Sequence, residues 1–344
     1  MSFSELLMTD SVATLLQNYC QDDAYSEVVV LCDSNTQVHC FPHLQKAYKH
    51  IVMPAGEQYK TLREAEKIMD QLMALHCSKQ TLLVNLGGGV VTDMGGFVAS
   101  IYKRGIPFVN VPTTLMGMVD AAIGGKTGVD HAFAKNIIGS IYHPKAVILD
   151  LKFLNTMPAV DTLLSFAEIF KIAIIADAQL WQTLVQNPWP SPNSEALKAI
   201  VKSAVQNKIQ LVEQDPYDAS VRQLLNFGHT YGHAYESYVL NQGSSTSHAD
   251  AVLWGMRQEL ALAVHLGILE KDKALTMLNG LDQFDFPSSQ WQPDFNALLP
   301  FLMADKKNSQ HTIGFSLPID IGQGQIQIQV NVQQLKNCYS LPII

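Results

Sequence analysis

Thr81-Leu-Leu-Val-Asn-Leu-Gly87-Gly88-Gly89-Val-Val-Thr-Asp93 is the stretch that decides the fold class. Its first six residues are apolar apart from Thr81 and Asn85, the pattern of a strand buried on both faces. Three glycines stop the strand, and Val90 to Tyr102 then carries helical periodicity. Strand, glycine turn and helix N-terminus together make a phosphate-cradle candidate. Glycine lets backbone approach a pyrophosphate, and a helix start offers N–H groups and positive potential. The spacing is not G-x-G-x-x-G, so a tight strand-to-helix turn is the alternative for this stretch alone. Asp93 either contacts a ribose hydroxyl or simply sits well in a first helical turn.

Outward from this stretch the first half alternates strands and helices. Asp10 to Gln21 reads as a short helix, Ser26 to Cys32 as a strand ending at Asp33, and Leu62 to Leu75 as an amphipathic helix. Pro107 to Pro112 and Ala146 to Asp150 read as further strands. Such alternation implies a parallel sheet and an α/β domain. After residue 158 helical periodicity dominates, over 161–176, 194–213, 221–240 and 250–269. Gln182 to Ser194 and Asn241 to Ser247 read as loops, and Gln323 to Val330 alternates with period two, as a half-exposed strand does. Residues 1–158 are therefore expected to form an α/β nucleotide-binding domain and 159–344 a mostly α-helical one.

The length of 344 residues suits two domains, and 47% apolar with 16% charged residues is ordinary globular composition. A net charge of −8 argues against nucleic acid and anionic membranes as partners. The N-terminus lacks a basic region followed by an apolar run, and no stretch is long enough to span a bilayer. The cysteines Cys20, Cys32, Cys40, Cys77 and Cys338 are odd in number and never form a CxxC pair, which argues for a reducing cytoplasm.

Several clusters carry chemistry. Gly124-Gly125-Lys126 and Lys135-Asn136 place two lysines in one glycine-rich stretch, which suits an anion site better than either lysine alone. Read as one helix, 221–240 puts Arg222, Asn226, His229, His233 and Glu236 on a single polar stripe. His229 and His233, at i and i+4, can share a metal ion, and His248 can supply another ligand. Glu168 and Lys171 interrupt a very apolar helix, as a buried pair or a site. Lys208 lies near the centre of an apolar stripe, so it either snorkels out or meets an anion. Asp305-Lys306-Lys307 alone is a polar turn.

Taken together and in order, these residues resemble the 3-dehydroquinate synthases, sugar-phosphate cyclases, over nearly the whole chain. The matching stretches are Pro54 to Lys60, Gly87 to Asp93, Lys103 to Phe108, Val111 to Leu115, Ile123 to Val129, Phe166 to Lys171, Leu225 to His233, the helix start at His248, and Asp305 to Lys307. The resemblance implies a homodimeric shikimate-pathway lyase with catalytic NAD and zinc or cobalt. Glu168, His229 and His248 are then the metal ligands. His233 becomes an acid/base or substrate contact, with Asp218 as its partner in proton transfer. NAD is implied at Asp33, Asn35, Glu57, Lys60, Gly88, Gly89, Asp93, Thr113, Thr114, Asp120, Lys135, Phe153 and Thr156. Substrate is implied at Arg104, Lys126, Asn136, Lys171, Lys208, Arg222, Asn226 and Lys307, with Lys126, Arg222 and Asn226 also counted as catalytic.

The reaction so implied converts 3-deoxy-D-arabino-heptulosonate 7-phosphate, a small anionic sugar-acid phosphate, to 3-dehydroquinate. Oxidation by NAD, phosphate elimination, hydride return and an intramolecular aldol closure leave no net redox change. The chain departs from the family pattern at Ala121 and Ala122, where Ser-Ser is usual, and at Ala249-Asp250, where Gly-Glu is usual. Ala134 stands for a glycine, and Asp218 for a glutamate one methylene longer. The opening hairpin and the segment after Asp33 are abbreviated. Every charged position persists, which implies an active member. Another sugar-phosphate cyclase, a metal-dependent alcohol dehydrogenase of similar plan and a non-catalytic nucleotide-binding regulator are the rival readings.

Overall fold

The strand Thr81–Gly87 lies in a six-stranded sheet and is buried along its whole length. The computed structural model describes residues 4–21, 25–131, 134–187, 190–191, 194–244, 246–282, 292–304 and 312–339. Two units divide the chain: Met1–Thr162 with Pro192–Ser194, and Leu163–Ser191 with Glu195–Ile344.

In the first unit the strands are β1 (Glu5–Met8), β2 (Glu27–Asp33), β3 (Lys49–Met53), β4 (Thr81–Gly87), β5 (Phe108–Pro112), β6 (Lys126–His131), β7 (Ala134–Ile141) and β8 (Ala146–Leu149). The helices are α1 (Val12–Cys20), α2 (Ser34–His39), α3 (Leu62–Ala74) and α4 (Gly89–Ile101). The sheet runs β1-β8-β5-β4-β2-β3 and every pairing in it is parallel. Chain order reverses between β2 and β4: β3 lies on one side of β2, and β4 returns to the other. Ligands of open parallel sheets bind beyond the carboxyl ends of strands at such a reversal. Pairing of Asp33 with Met53 and of Gly87 with Pro112 puts all four residues at that edge.

The helical periodicity of α3 and α4 is met by burial. Ala65, Ile68, Leu72, Val91, Met94 and Val98 pack on Val29, Leu31, Ile51 and Leu83 of the sheet. Fully burying such aliphatic side chains contributes about 1.5–3 kcal/mol each. Strands β1 and β3 escape the sequence reading, and so does the antiparallel β6–β7 hairpin.

Helix α5 (Ala159–Ala176) enters the second unit from Leu163 onward, and that unit also contains α6 (Ala178–Gln186), α7 (Glu195–Gln214), α8 (His229–Asn241), α9 (His248–His265), α10 (Lys271–Asp282), α11 (Phe295–Met303) and α12 (Val332–Tyr339). Its antiparallel pair is β9 (Thr312–Asp320) with β10 (Gln323–Asn331). Two expectations need correcting. Helix α6 reaches Gln186, so the loop expected from Gln182 begins later; Asp177 caps this helix by accepting from Gln179 and Leu180 N–H. The continuous helix expected over 221–240 is broken. Val221–Asn226 is a 3-10 turn, and Gly228 takes φ +78°, a left-handed conformation that favours glycine, before α8 starts.

No helix among the described residues is long and apolar enough to cross a membrane. Cys32, Cys40, Cys77 and Cys338 are free thiols.

Candidate active site

Helices α5, α8 and α9 each bring ionisable side chains to one locus of the second unit. Glu168 and Lys171 lie one turn apart on α5, fully buried, and their charged groups pair through Glu168 Oε2. The other oxygen, Glu168 Oε1, accepts no hydrogen bond. It lies 3.7 Å from His229 Nε2 and 3.8 Å from His248 Nε2. His229 opens α8 and His248 opens α9. The ring of His233, one turn further along α8, lies 5.2 Å from that of His229 and 5.7 Å from that of His248 between centroids. One ligand nitrogen from each of the three rings falls within 4.8 Å of the others.

The electrostatics favour ligand chemistry. Burial pushes the His229 imidazole well below its usual range, and the neighbouring charges of Lys171, His233 and His248 push the same way. It is therefore neutral near pH 7, the form that donates a lone pair. Its Nδ1 is 3.1 Å from the Phe227 carbonyl, which can only accept, so the proton sits on Nδ1 and Nε2 is bare. On the other side, Glu236 Oε2 of α8 lies 3.6 Å from His248 Nδ1. A buried carboxylate oxygen without a donor, facing two ring nitrogens, is a donor set that a divalent cation such as zinc or cobalt satisfies. Spacing alone favoured His229 with His233; the fold brings Glu168 and His248 to the same place.

Two further cations are buried in this unit, Lys208 on α7 and Arg222 in the 3-10 turn. Asp215 shapes the segment before that turn. Its carboxylate accepts from the backbone N–H of Ala219 at 3.0 Å, Ser220 at 2.6 Å and Arg222 at 3.2 Å. Arg222 Nη1 donates to the Pro216 carbonyl at 3.0 Å. Asp218 sits inside this loop with φ +59°. Asn226 ends the 3-10 turn, two residues before the left-handed Gly228.

In the first unit the residues expected around NAD follow the carboxyl ends of successive strands. Asp33 ends β2 and caps α2, accepting from Asn35 and Thr36 N–H. Glu57 and Lys60 follow β3, Gly88 and Gly89 follow β4, and Thr113, Thr114 and Asp120 follow β5. Phe153 and Thr156 lie in the 3-10 turn after β8. Helix α4 starts at Gly88 without a side-chain cap, so its first N–H groups have no hydroxyl or carboxylate of their own.

Lys60 is buried; its Nζ donates to Asp93 Oδ2 at 2.6 Å and to Asn136 Oδ1 at 2.5 Å. Burial lowers the Lys60 pKa, but the carboxylates of Asp93, Glu57 and Asp130 outweigh it and the net shift is upward. Lys135 Nζ lies 3.7 Å from Glu57 Oε1. Lys126 stands apart: it pairs with Ile141 at the open end of the β6–β7 hairpin, whereas Lys135 and Asn136 follow the tip. Arg104 follows the C-terminal end of α4, about 20 Å along the helix from Gly88–Gly89. Lys307 lies outside the described residues.

Residues 50–163 match the N-terminal domain of 3-dehydroquinate synthase and residues 165–308 match its C-terminal domain. The chain belongs to the 3-dehydroquinate synthase family. It is 38% identical to the 3-dehydroquinate synthase of Sulfurovum sp. (strain NBC37-1), over 86% of this chain and 85% of that relative. It is 36% identical to the 3-dehydroquinate synthase of Streptococcus pyogenes serotype M49 (strain NZ131), over 92% of this chain and 90% of that relative. Among solved structures, a 2-epi-5-epi-valiolone synthase from Streptomyces hygroscopicus subsp. jinggangensis 5008, with NAD+ and Zn2+ bound, superposes with a TM-score of 0.86. That match has 25% identity and covers 98% of this chain and 96% of the other.

Within this member of the dehydroquinate synthase family, sequence reasoning gave no role to Asp215, Glu236 or Glu259. Glu236 was visible as the end of the polar stripe. Glu259 had a signal of the kind that exposed Lys208: it follows Val252 and Met256 at helical spacing, so it falls on the apolar face of α9.

Proposed function

We propose that this chain is a 3-dehydroquinate synthase acting on 3-deoxy-D-arabino-heptulosonate 7-phosphate, with phosphate as the second product, in the shikimate route to aromatic amino acids. One observation carries the reading beyond family membership: Glu168 Oε1, buried and without a hydrogen bond, faces the bare nitrogen of a neutral imidazole and that of a second histidine. Glu168, His229 and His248 would hold zinc or cobalt, which when bound supplies a Lewis acid toward a substrate oxygen. NAD, which takes up a hydride and gives it back, would lie along the strand ends from Asp33 to Thr156.

The chain's own residues do the rest. Lys171 pairs with the second oxygen of Glu168 and so holds the carboxylate in place. Lys208, Arg222 and Asn226 fix an anionic substrate by charge and hydrogen bonds, which is positioning more than chemistry. His233, exposed beside the two ligand histidines, and Asp218 are the groups that would carry protons. We further propose a cytoplasmic homodimer without nucleic-acid or membrane partners; the free thiols and the net charge of −8 support this.

The test is phosphate release from the heptulosonate phosphate with catalytic NAD. Turnover that stops with a chelator, returns with zinc or cobalt and leaves no NADH supports the reading. Stoichiometric NADH from a simple alcohol, without phosphate release, would replace it with an alcohol dehydrogenase.

A further inference from the structure

We propose that Glu259 is a positioning residue for His229, acting through the one peptide group that joins Phe227 to Gly228. The inference rests on the reading of His229 as a metal ligand.

Glu259 is on α9 and is fully buried. Its Oε2 accepts from Gly228 N–H at 2.6 Å and its Oε1 from Tyr231 N–H at 3.1 Å. The Gly228 N–H and the Phe227 carbonyl are two ends of the same planar peptide group. The carbonyl end accepts from His229 Nδ1 at 3.1 Å. One carboxylate therefore orients the plate whose other end fixes the tautomer and tilt of a ligand imidazole.

The contact also strengthens that imidazole as a ligand. A hydrogen bond from N–H to a charged oxygen polarises the peptide and makes its carbonyl a better acceptor. A better acceptor on Nδ1–H raises the basicity of Nε2, as carboxylates behind metal-bound histidines do.

Helix α8 cannot do this alone. Its first residue is preceded by Gly228, which has no side chain to cap with and whose left-handed φ leaves the peptide orientation to its surroundings. Helix α9 is close enough to supply the brace because the contact is made of glycine. A Cβ on Gly255 would come within 2.0 Å of the Gly228 carbonyl oxygen. Glu259 follows Gly255 by one helical turn and projects from the same face. It also places negative charge at the positive end of α8.

The variant to make is Glu259→Gln, which keeps the shape but turns an amide NH2 toward one of the two backbone donors. Zinc affinity is measured by chelator competition on the NAD-loaded enzyme. We expect a loss of about 10- to 100-fold, as for other residues that support metal ligands from behind. Selective 15N labelling of histidine is expected to show His229 losing its Nδ1–H preference. Leu184→Ala, which removes a buried side chain of α6, serves as a destabilised control expected to keep the zinc affinity of the unaltered enzyme.

A second measurement needs no variant: in 15N-glycine-labelled unaltered protein, the Gly228 amide proton should resonate far downfield, as short bonds to carboxylate do. Unchanged zinc affinity in Glu259→Gln, an equal loss in Leu184→Ala, or an ordinary Gly228 shift would each overturn the proposal. An unaltered enzyme that takes up no zinc would instead sink the metal reading, while the amide shift and the ring tautomer still decide the role of Glu259.

Discussion

Glu168 Oε1 and His229 Nε2, on helices far apart in the chain, face each other at 3.7 Å, and the carboxylate oxygen has no hydrogen bond. Two lone pairs pointed at one another are costly unless something positive lies between them. His229→Ala should therefore remove metal binding and lower turnover by more than about 100-fold, the upper end of what loss of a supporting partner costs. NAD affinity, followed by NADH fluorescence, should stay, because the expected NAD residues belong to the other unit. Glu168→Gln is the poorer test. It leaves Lys171 buried without its anion, which costs about 3–5 kcal/mol of stability and confounds the readout. Undiminished turnover in His229→Ala would defeat the metal assignment.

Glu236, buried on α8, stands behind His248, the second histidine proposed as a ligand, its Oε2 3.6 Å from His248 Nδ1. A carboxylate on that side of the ring favours a proton on Nδ1, which leaves Nε2 to face Glu168. Glu236→Gln should weaken zinc by about 10-fold and leave the melting temperature nearly unchanged, since the amide still fills the space. Isothermal titration of the chelated enzyme with zinc reads it directly; equal affinity in both proteins would show that the contact orients nothing.

What the sequence discloses divides along a physical line. Apolar periodicity reports burial, so β4, α3, α4, α5 and α7 are legible from residue order. Strand β3, Lys49 to Met53, is not, because its first two residues are exposed and five residues give too little pattern. The β6–β7 hairpin hides behind its glycines, which look like turns. Here Gly128 pairs with Gly139, and a Cβ on Gly139 would meet the Thr127 carbonyl at 2.2 Å. The polar stripe over 221–240 identified residues of the site by a geometry that does not exist. A 3-10 turn advances by three residues per turn, and Gly228 then redirects the chain, so no common azimuth joins Arg222 to His233. Residue patterns singled out Glu168 and His248 separately, but only motif order, compared with a known family, joined them in one ligand set, since no local pattern links the two.

The Lys60 ammonium joins Asp93 to Asn136, at 2.6 and 2.5 Å. Lys60→Met keeps the aliphatic stem and removes both hydrogen bonds, stranding one anionic and one neutral acceptor. Leaving such acceptors unsatisfied costs about 1–3 kcal/mol, more for the charged one. Urea denaturation should show that loss. NAD affinity should fall in parallel, because Asp93, one of the residues expected around NAD, lies just past the first turn of α4 and loses the hydrogen bond that holds it in place. A variant equal to the parent in both stability and NAD affinity would show the triad to be incidental.

Asp215 provides a pH test of the loop that carries Asp218 and Arg222. Burial raises its carboxyl pKa, but backbone N–H groups of Ala219, Ser220 and Arg222 outweigh this and hold it below the usual carboxylate range. A folded-state pKa below the unfolded one means that the unfolded chain binds the proton more readily. The contribution to stability is therefore complete above the ordinary carboxylate pKa of about 4 and lost as pH falls through the lower folded value. Asp215→Asn turns an amide toward donors that need an acceptor, and should cost about 1–3 kcal/mol near pH 7. The gap between parent and variant should hold from pH 7 down to about 4 and narrow below it, where the parent carboxylate is protonated as well. Denaturant titrations at steps across that range measure it. A gap that stayed constant into strong acid would mean that the loop is held by shape, and that the charge on Asp215 contributes nothing.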